Sequence, residues 1–185
     1  MAVVINLFGG PGCGKSTGAA YVFSKLKMLG VNAELTSEYA KDKTWEGNMK
    51  AIACQPYIFG NQVYRIDRCI DDVDVIVTDS PLLLSLFYNR DEAIEPYFTQ
   101  LVEAKFNEYE NLNFFLIRNK VYNPVGRNQT ETEATEIDEQ VLKFMSAYER
   151  ELEYEVVTGD NEGYDKIVEK VLDYLRKNTT KYIVL

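Results

Sequence analysis

The sequence predicts an α/β fold, a three-layer sandwich in which a five-stranded, mostly parallel sheet carries helices on both faces. Five short strand-like stretches, at 2–8, 32–36, 73–78, 113–117 and 154–158, alternate with helix-patterned stretches, as in parallel-sheet proteins. The first run has only Asn6 polar, the composition of a strand covered on both faces. A glycine-rich segment, Gly9-Gly10-Pro11-Gly12-Cys13-Gly14-Lys15-Ser16-Thr17, follows that run directly and opens a helix.

That segment has the spacing of a phosphate-binding loop: a glycine, four residues, then Gly-Lys-Ser, between a strand and a helix. Glycines let the backbone turn its N–H groups inward around a polyphosphate, and the helix start adds the positive end of its dipole. Lys15 is expected to reach the terminal phosphates, and the Ser16 hydroxyl to ligate Mg²⁺.

After the loop, Ala19, Ala20, Val22, Phe23, Leu26 and Leu29 recur at helical spacing and Gly30 provides a stop. The short second strand ends in Ser37-Glu38-Tyr39-Ala40-Lys41, at the carboxyl edge where open α/β sheets place ligands. Residues 45–72 read as helix in two pieces broken near Pro56, with Gln62, Arg65 and Arg68 on one face and Ile58, Val63, Ile66 and Ile70 on the other. A solvated charged face and a substrate contact are both open for Arg65 and Arg68.

Asp79 directly follows the third strand, where a carboxylate holds Mg²⁺ or its water opposite Ser16. The alternative role is a helix cap, since Ser80 and Pro81 precede the apolar stretch 82–87. Residues 92–109 form an amphipathic helix with Phe98, Leu101, Val102 and Phe106 inward. The fourth strand leads into a polar segment, about 118–129, carrying Arg118, Lys120 and Arg127. A cationic loop beside a phosphate site is expected to act as a lid. Thr130 and Glu133 form a capping box for the next helix, to about Arg150. The fifth strand is followed by Gly159 and Asp160, placed to meet the nucleotide base, and by a final helix over 164–177.

The 185 residues suit one domain, 1–185. A net charge of −9 weakens, without excluding, a nucleic-acid substrate. The absence of histidine leaves proton transfer to a carboxylate or to water. No run approaches the roughly 20 apolar residues of a membrane span, and the first apolar stretch lacks the basic flank of a signal peptide. Three scattered cysteines fit a reducing compartment, so the expected location is cytoplasmic, the host cytoplasm if the gene is a phage's. Monomer and homodimer are both open.

With the loop, Asp79 and the cationic segment in place, the chain resembles the P-loop nucleoside and nucleotide kinases, whose lid lies between strands four and five. More narrowly, the loop together with Thr-Ser-Glu-Tyr-Ala-Lys (36–41), Thr-Asp-Ser-Pro-Leu-Leu-Leu-Ser (78–85) and Tyr-Asn-Pro-Val-Gly-Arg-Asn-Gln-Thr (122–130) resembles a bacteriophage-type group. That group includes 5-hydroxymethyluracil DNA kinases, which phosphorylate a modified base during DNA hypermodification. The resemblance implies that 9–17 bind ATP, that Glu38 is the base, that Asp79 is the strand-three carboxylate, and that Arg118 and Arg127 are lid arginines. Deoxynucleoside kinases carry an arginine after the strand-three carboxylate, whereas Ser80 and Pro81 stand here. The expected activity is ATP- and Mg²⁺-dependent transfer to a primary hydroxyl of a nucleoside-like acceptor, 5-hydroxymethyluracil in DNA first. A free nucleoside or nucleotide, including a nicotinamide riboside-like compound, is the alternative acceptor, and an ATPase switch is the alternative class.

Overall fold

The computed structural model describes residues 1–119, 122–123, 130–147 and 152–182. Five strands, β1 (Val3–Phe8), β2 (Ala33–Thr36), β3 (Val75–Thr78), β4 (Glu110–Ile117) and β5 (Tyr154–Thr158), form one sheet. Its order is β2-β3-β1-β4-β5 and every pairing is parallel. Every residue of β1 is buried, as its apolar composition requires at the centre of the sheet.

Among the described residues eight helices connect and cover the strands: α1 (Lys15–Met28), α2 (Tyr39–Trp45), α3 (Met49–Ala53), α4 (Gln55–Asp67), α5 (Leu84–Tyr88), α6 (Glu95–Asn107), α7 (Glu131–Ala147) and α8 (Asn161–Asn178). On one face, α1 and α8 enclose a core that includes Ile5, Leu7, Val22, Leu26, Ile167 and Val171. On the other, α4 to α7 enclose Val4, Phe8, Ile66, Phe98, Val102 and Met145. The predicted three-layer sandwich with helices on both faces is therefore observed.

This strand order places the site. Chain direction across the sheet reverses at β1, and ligands of open α/β sheets bind in the crevice at the carboxyl ends beside such a reversal. Neighbouring strands lie about 4.8 Å apart. The segments following β2, β3, β1, β4 and β5, in that order, therefore line one edge side by side.

Several local expectations are corrected. The segment after β2 is helical at once, as α2, which ends at Trp45, whereas 45–72 holds the two expected pieces, α3 and α4. Gly47, at φ +66°, ends α2, and the Asn48 side chain accepts the Ala51 N–H to start α3. Pro56 sits in the first turn of α4, where its missing N–H costs nothing, so the break falls at Cys54. Gln62 and Arg65 share a face of α4, both donating to Ser37 O, but that face is covered at Gln62. It is buried, with its carbonyl accepting from Tyr39 N–H at 3.0 Å and its amide donating to Ser37 O and Thr78 Oγ1. Leu101 is 55% exposed, because the buried stripe of α6 is the narrow line Phe98, Val102 and Phe106. Asp79 caps no helix, since α5 begins only at Leu84 and has no side-chain cap.

The capping box is present: Thr130 Oγ1 accepts from Glu133 N–H, and Glu133 Oε2 accepts from Thr130 N–H at 2.7 Å. Near the C-terminus, 180–182 form a 3₁₀ turn in which Tyr182 and Lys181 both donate to Asp74 Oδ2.

A packing prediction follows from Gly159. A Cβ there would overlap the Cys13 carbonyl oxygen and press on Ile117 O, both backbone atoms that cannot turn aside. Gly159→Ala is expected to destabilise the fold by about 1–3 kcal/mol. For a chain of this size that is a fall in Tm of roughly 2–4 °C per kcal/mol, to be read by calorimetry.

Candidate active site

The loop between β1 and α1 is shaped by its glycines. Gly9, Gly12 and Gly14 have φ of +137°, +80° and +113°, a region that side-chain-bearing residues rarely enter. Gly9 also lies against the Cys13 thiol, whose Sγ would be 2.6 Å from a Cβ at position 9. Cys13 contributes its backbone to the loop and its side chain to the core, where burial pushes the thiol pKa up and keeps it protonated. The loop is braced from the β5 side. The Tyr164 hydroxyl lies 3.0 Å from the carbonyl oxygens of both Gly14 and Gly159.

Lys15 folds back over the loop, its Nζ donating to Gly9 O at 2.7 Å and Gly10 O at 2.8 Å. Burial draws its pKa down, but Cys13 and Tyr88 as they ionise at high pH, together with Glu38 and Asp79, outweigh burial and hold it above the ordinary lysine value. The ammonium thus stays charged through neutral pH. Ser16 and Thr17 are exposed on the first turn of α1, beside the positive end of its dipole.

The two carboxylates predicted at the strand ends lie within electrostatic reach of Lys15. Glu38 stands just before α2, yet its side chain makes no capping hydrogen bond. Burial raises its pKa, Lys15 opposes the rise, and Asp79 adds to it. Asp79 is 4% exposed, and its Oδ1 has no hydrogen-bond partner among the described residues. A buried carboxylate oxygen without a donor is unfavourable unless something positive meets it. The orphan oxygen on Asp79 and the exposed hydroxyl of Ser16 therefore suit a cation held jointly with a phosphate chain. Among the described residues no group of three or more Cys, Asp or Glu is arranged as a metal cage. Mg²⁺ bound through one carboxylate, one hydroxyl and phosphate oxygens needs none.

Arg118, immediately after β4, lies on the loop. It donates from Nε to Asp138 Oδ2 at 2.8 Å and from Nη2 to Pro11 O at 2.8 Å. It is not an isolated cation facing the acids of the next helix, for one of those acids, Asp138, is its ion-pair partner at 2.7 Å. Arg127 and most of the expected lid, 120–121 and 124–129, lie outside the described residues.

Gly159 and Asp160 reach the site's edge as predicted, but their interactions are internal. Gly159 packs on Cys13, while Asp160 accepts from Gly163 N–H, Thr158 Oγ1 and Asn119 Nδ2. Those bonds, the Gly163 N–H first, pull its pKa down to about 2. Asp160 therefore caps α8 and ties down the segment after β4. Arg65 is engaged as well, bonding Ser37 and Asp42 and lying over the Tyr39 ring, so it anchors α2, while Arg68 is exposed.

Two residues of the site were not anticipated. Tyr88, at the end of α5, has a phenol pKa raised by burial and by Glu38, with Lys15 opposing, so it is a neutral donor beside both. Asp138 on α7 bonds Gly10 and Arg118. Its only sequence signal is Ala134 one turn earlier, a small residue on a helix otherwise crowded with acids, which marks a close approach.

A family model described as an AAA domain matches residues 4–163. Among solved structures, shikimate kinase from Bacteroides thetaiotaomicron is similar at 13% identity and a TM-score of 0.50, covering 94% of this chain and 98% of that one. The APS kinase of Mycobacterium tuberculosis, in complex with AMPPNP and APS, is similar at 14% identity and a TM-score of 0.50, covering 95% and 98%. At these identities the likeness is one of fold. No protein of curated function matches the sequence. Among the described residues no helix is long and apolar enough to cross a membrane.

Proposed function

The chain belongs to the AAA domain family, and from that premise we propose that it is an ATP- and Mg²⁺-dependent phosphotransferase acting on a primary hydroxyl of a nucleoside-like acceptor, 5-hydroxymethyluracil in DNA foremost. The observation that carries this reading is Glu38, a carboxylate that follows β2, makes no capping hydrogen bond, and has its pKa raised by burial within electrostatic reach of Lys15. A nucleotide switch needs only to position water, and has no use for a base tuned toward neutrality.

In this reading the acceptor hydroxyl oxygen bonds to the γ-phosphorus as the bond from that phosphorus to the β–γ bridging oxygen breaks, and ADP leaves. The hydroxyl proton passes to Glu38. Lys15 and the N–H groups of 12–17 hold the phosphates, with Asp79 and Ser16 holding Mg²⁺, which when bound neutralises charge on the phosphoryl oxygens. The helices that follow Glu38, α2 to α4, expose Trp45 (64%), Met49 (55%) and Tyr57 (43%), apolar and aromatic surface that suits a planar base displaced from its stack.

The net charge of −9 favours a second acceptor, a free nucleoside or nucleotide, which needs no basic field. Incubation with γ-labelled ATP and a panel of modified DNAs and free nucleosides decides between them. Label in DNA is expected, and label only in a free nucleoside would overturn the DNA acceptor. Salt gives an independent reading, because a polyanion's affinity falls steeply with ionic strength whereas a nucleoside's barely changes.

The metal role has its own test. Asp79→Asn is expected to move the Mg²⁺ activation curve to higher metal and lower the maximal rate, measured as initial rate against free Mg²⁺. A shifted curve in Glu38→Gln with an unshifted one in Asp79→Asn would mean that the two carboxylates have exchanged roles.

A further inference from the structure

The interaction that joins α7 to the phosphate loop has no place in the chemistry above. Asp138 Oδ1 accepts the Gly10 N–H at 2.7 Å, and Asp138 Oδ2 accepts from Arg118 Nε at 2.8 Å. One carboxylate thus ties together the turn after β1, the residue after β4 and a helix beyond the lid segment. The approach is tight enough to require glycine. A Cβ on Gly10 would overlap Asp138 Oδ1 and press on Asp138 N and Ala134 O.

The consequence falls on Arg118. Its Nε and Nη2 are taken by Asp138, Pro11 O and Ala134 O. Its Nη1 is buried and has no acceptor among the described residues. That nitrogen lies over Gly12, 3.1 Å from where a Cβ would stand, with the Tyr122 ring beside it. A guanidinium held along one edge with a free terminal nitrogen is prepared for an oxygen anion arriving in the loop.

We propose that Asp138 is a positioning residue that locks Arg118 onto the phosphate loop so that Nη1 is held over Gly12 as a donor to the terminal phosphate of the bound nucleotide. This rests on the reading of the loop as an ATP site. Holding the side chain in place before binding removes the entropy that a free arginine would lose on meeting the phosphate. Arg118 then acts from a fixed post and does not swing in with the lid.

The test compares a non-hydrolysable ATP analogue with ADP, each with Mg²⁺, by calorimetric titration of the full chain. In Asp138→Ala the analogue's affinity is expected to fall about tenfold or more, the size of a charge-assisted hydrogen bond, with ADP affinity within about twofold. Arg118→Ala should show the same selective loss, and the double variant should be no worse than either single. Equal losses for both nucleotides would assign Asp138 a structural role only. Equal gains would mean that its charge merely repels phosphate. Losses that add in the double variant would show the two residues acting separately, and each of these three results overturns the proposal. Should the alanine variant fail to fold, Asp138→Asn is expected to show a smaller but still selective loss, and unchanged selectivity there overturns it too. Wild-type protein that binds neither nucleotide would sink the ATP-site reading itself, whereas wild-type binding with unaltered selectivity in the variants sinks this proposal alone.

Discussion

Lys15→Ala is expected to lower phosphoryl transfer by on the order of a hundredfold or more, since it removes the charge placed to meet the terminal phosphates in the transition state. A second effect comes from the site's own carboxylates. Lys15 is the cation that opposes the rise in Glu38's pKa. Without it, Glu38 and Asp79 face each other uncompensated, so protonation of Glu38 should reach still higher pH. The variant should therefore be slow and have its remaining activity displaced to more alkaline conditions. Steady-state rates across pH check this, with circular dichroism to show that the fold survives loss of the bonds to Gly9 O and Gly10 O. Wild-type turnover in a folded variant would overturn the site.

Glu38→Gln is expected to leave ATP and metal binding intact while lowering the transfer step by roughly a hundred- to ten-thousandfold, the span of general base catalysis. The low end is expected, because a loose phosphoryl transition state needs little help from a base. The base must be deprotonated to act, and burial raises its pKa, so wild-type activity should fall on the acid side above the usual carboxylate range. That acid limb should vanish in the glutamine variant, whose residual rate is no longer governed by Glu38. Single-turnover rates across pH separate this from a change in nucleotide affinity. A glutamine variant that keeps the wild-type acid limb would take the proton-accepting role away from Glu38.

The parts of the site legible in the sequence are those carried by short, contiguous patterns. The loop 9–17 announces itself by glycine spacing, and Asp79 by following an apolar strand at once. Arg118 was found by the same positional logic, as a cation directly after β4, but its partners were not. Asp138 lies 128 residues from Gly10 and 20 from Arg118, on a helix with several other acids of equal standing. Periodicity puts Gln62 on one face of α4 with Arg65 but does not say what covers that face. A polar residue beside two arginines reads as solvated until α2 and β3 are brought over it. Asp160 illustrates the converse. It stands after β5 at the carboxyl edge of the sheet, yet its bonds to Gly163, Thr158 and Asn119 hold the scaffold together.

By itself the sequence specified the five strands, the helices between them except α2, the glycine loop, and which charged residues follow the strands. Each of these is specified within about ten residues by backbone sterics, hydrophobic period and cap chemistry. Tertiary structure decided the strand order, and with it the sequence Glu38, Asp79, loop, Arg118 and Gly159 along one edge. It also decided the charge balance of Lys15 with Glu38 and Asp79, the orphaned oxygen on Asp79, and the Asp138 tie to Gly10 and Arg118. These depend on distances between residues far apart in the chain, which local pattern does not encode and which only packing the two helical layers onto the sheet can set.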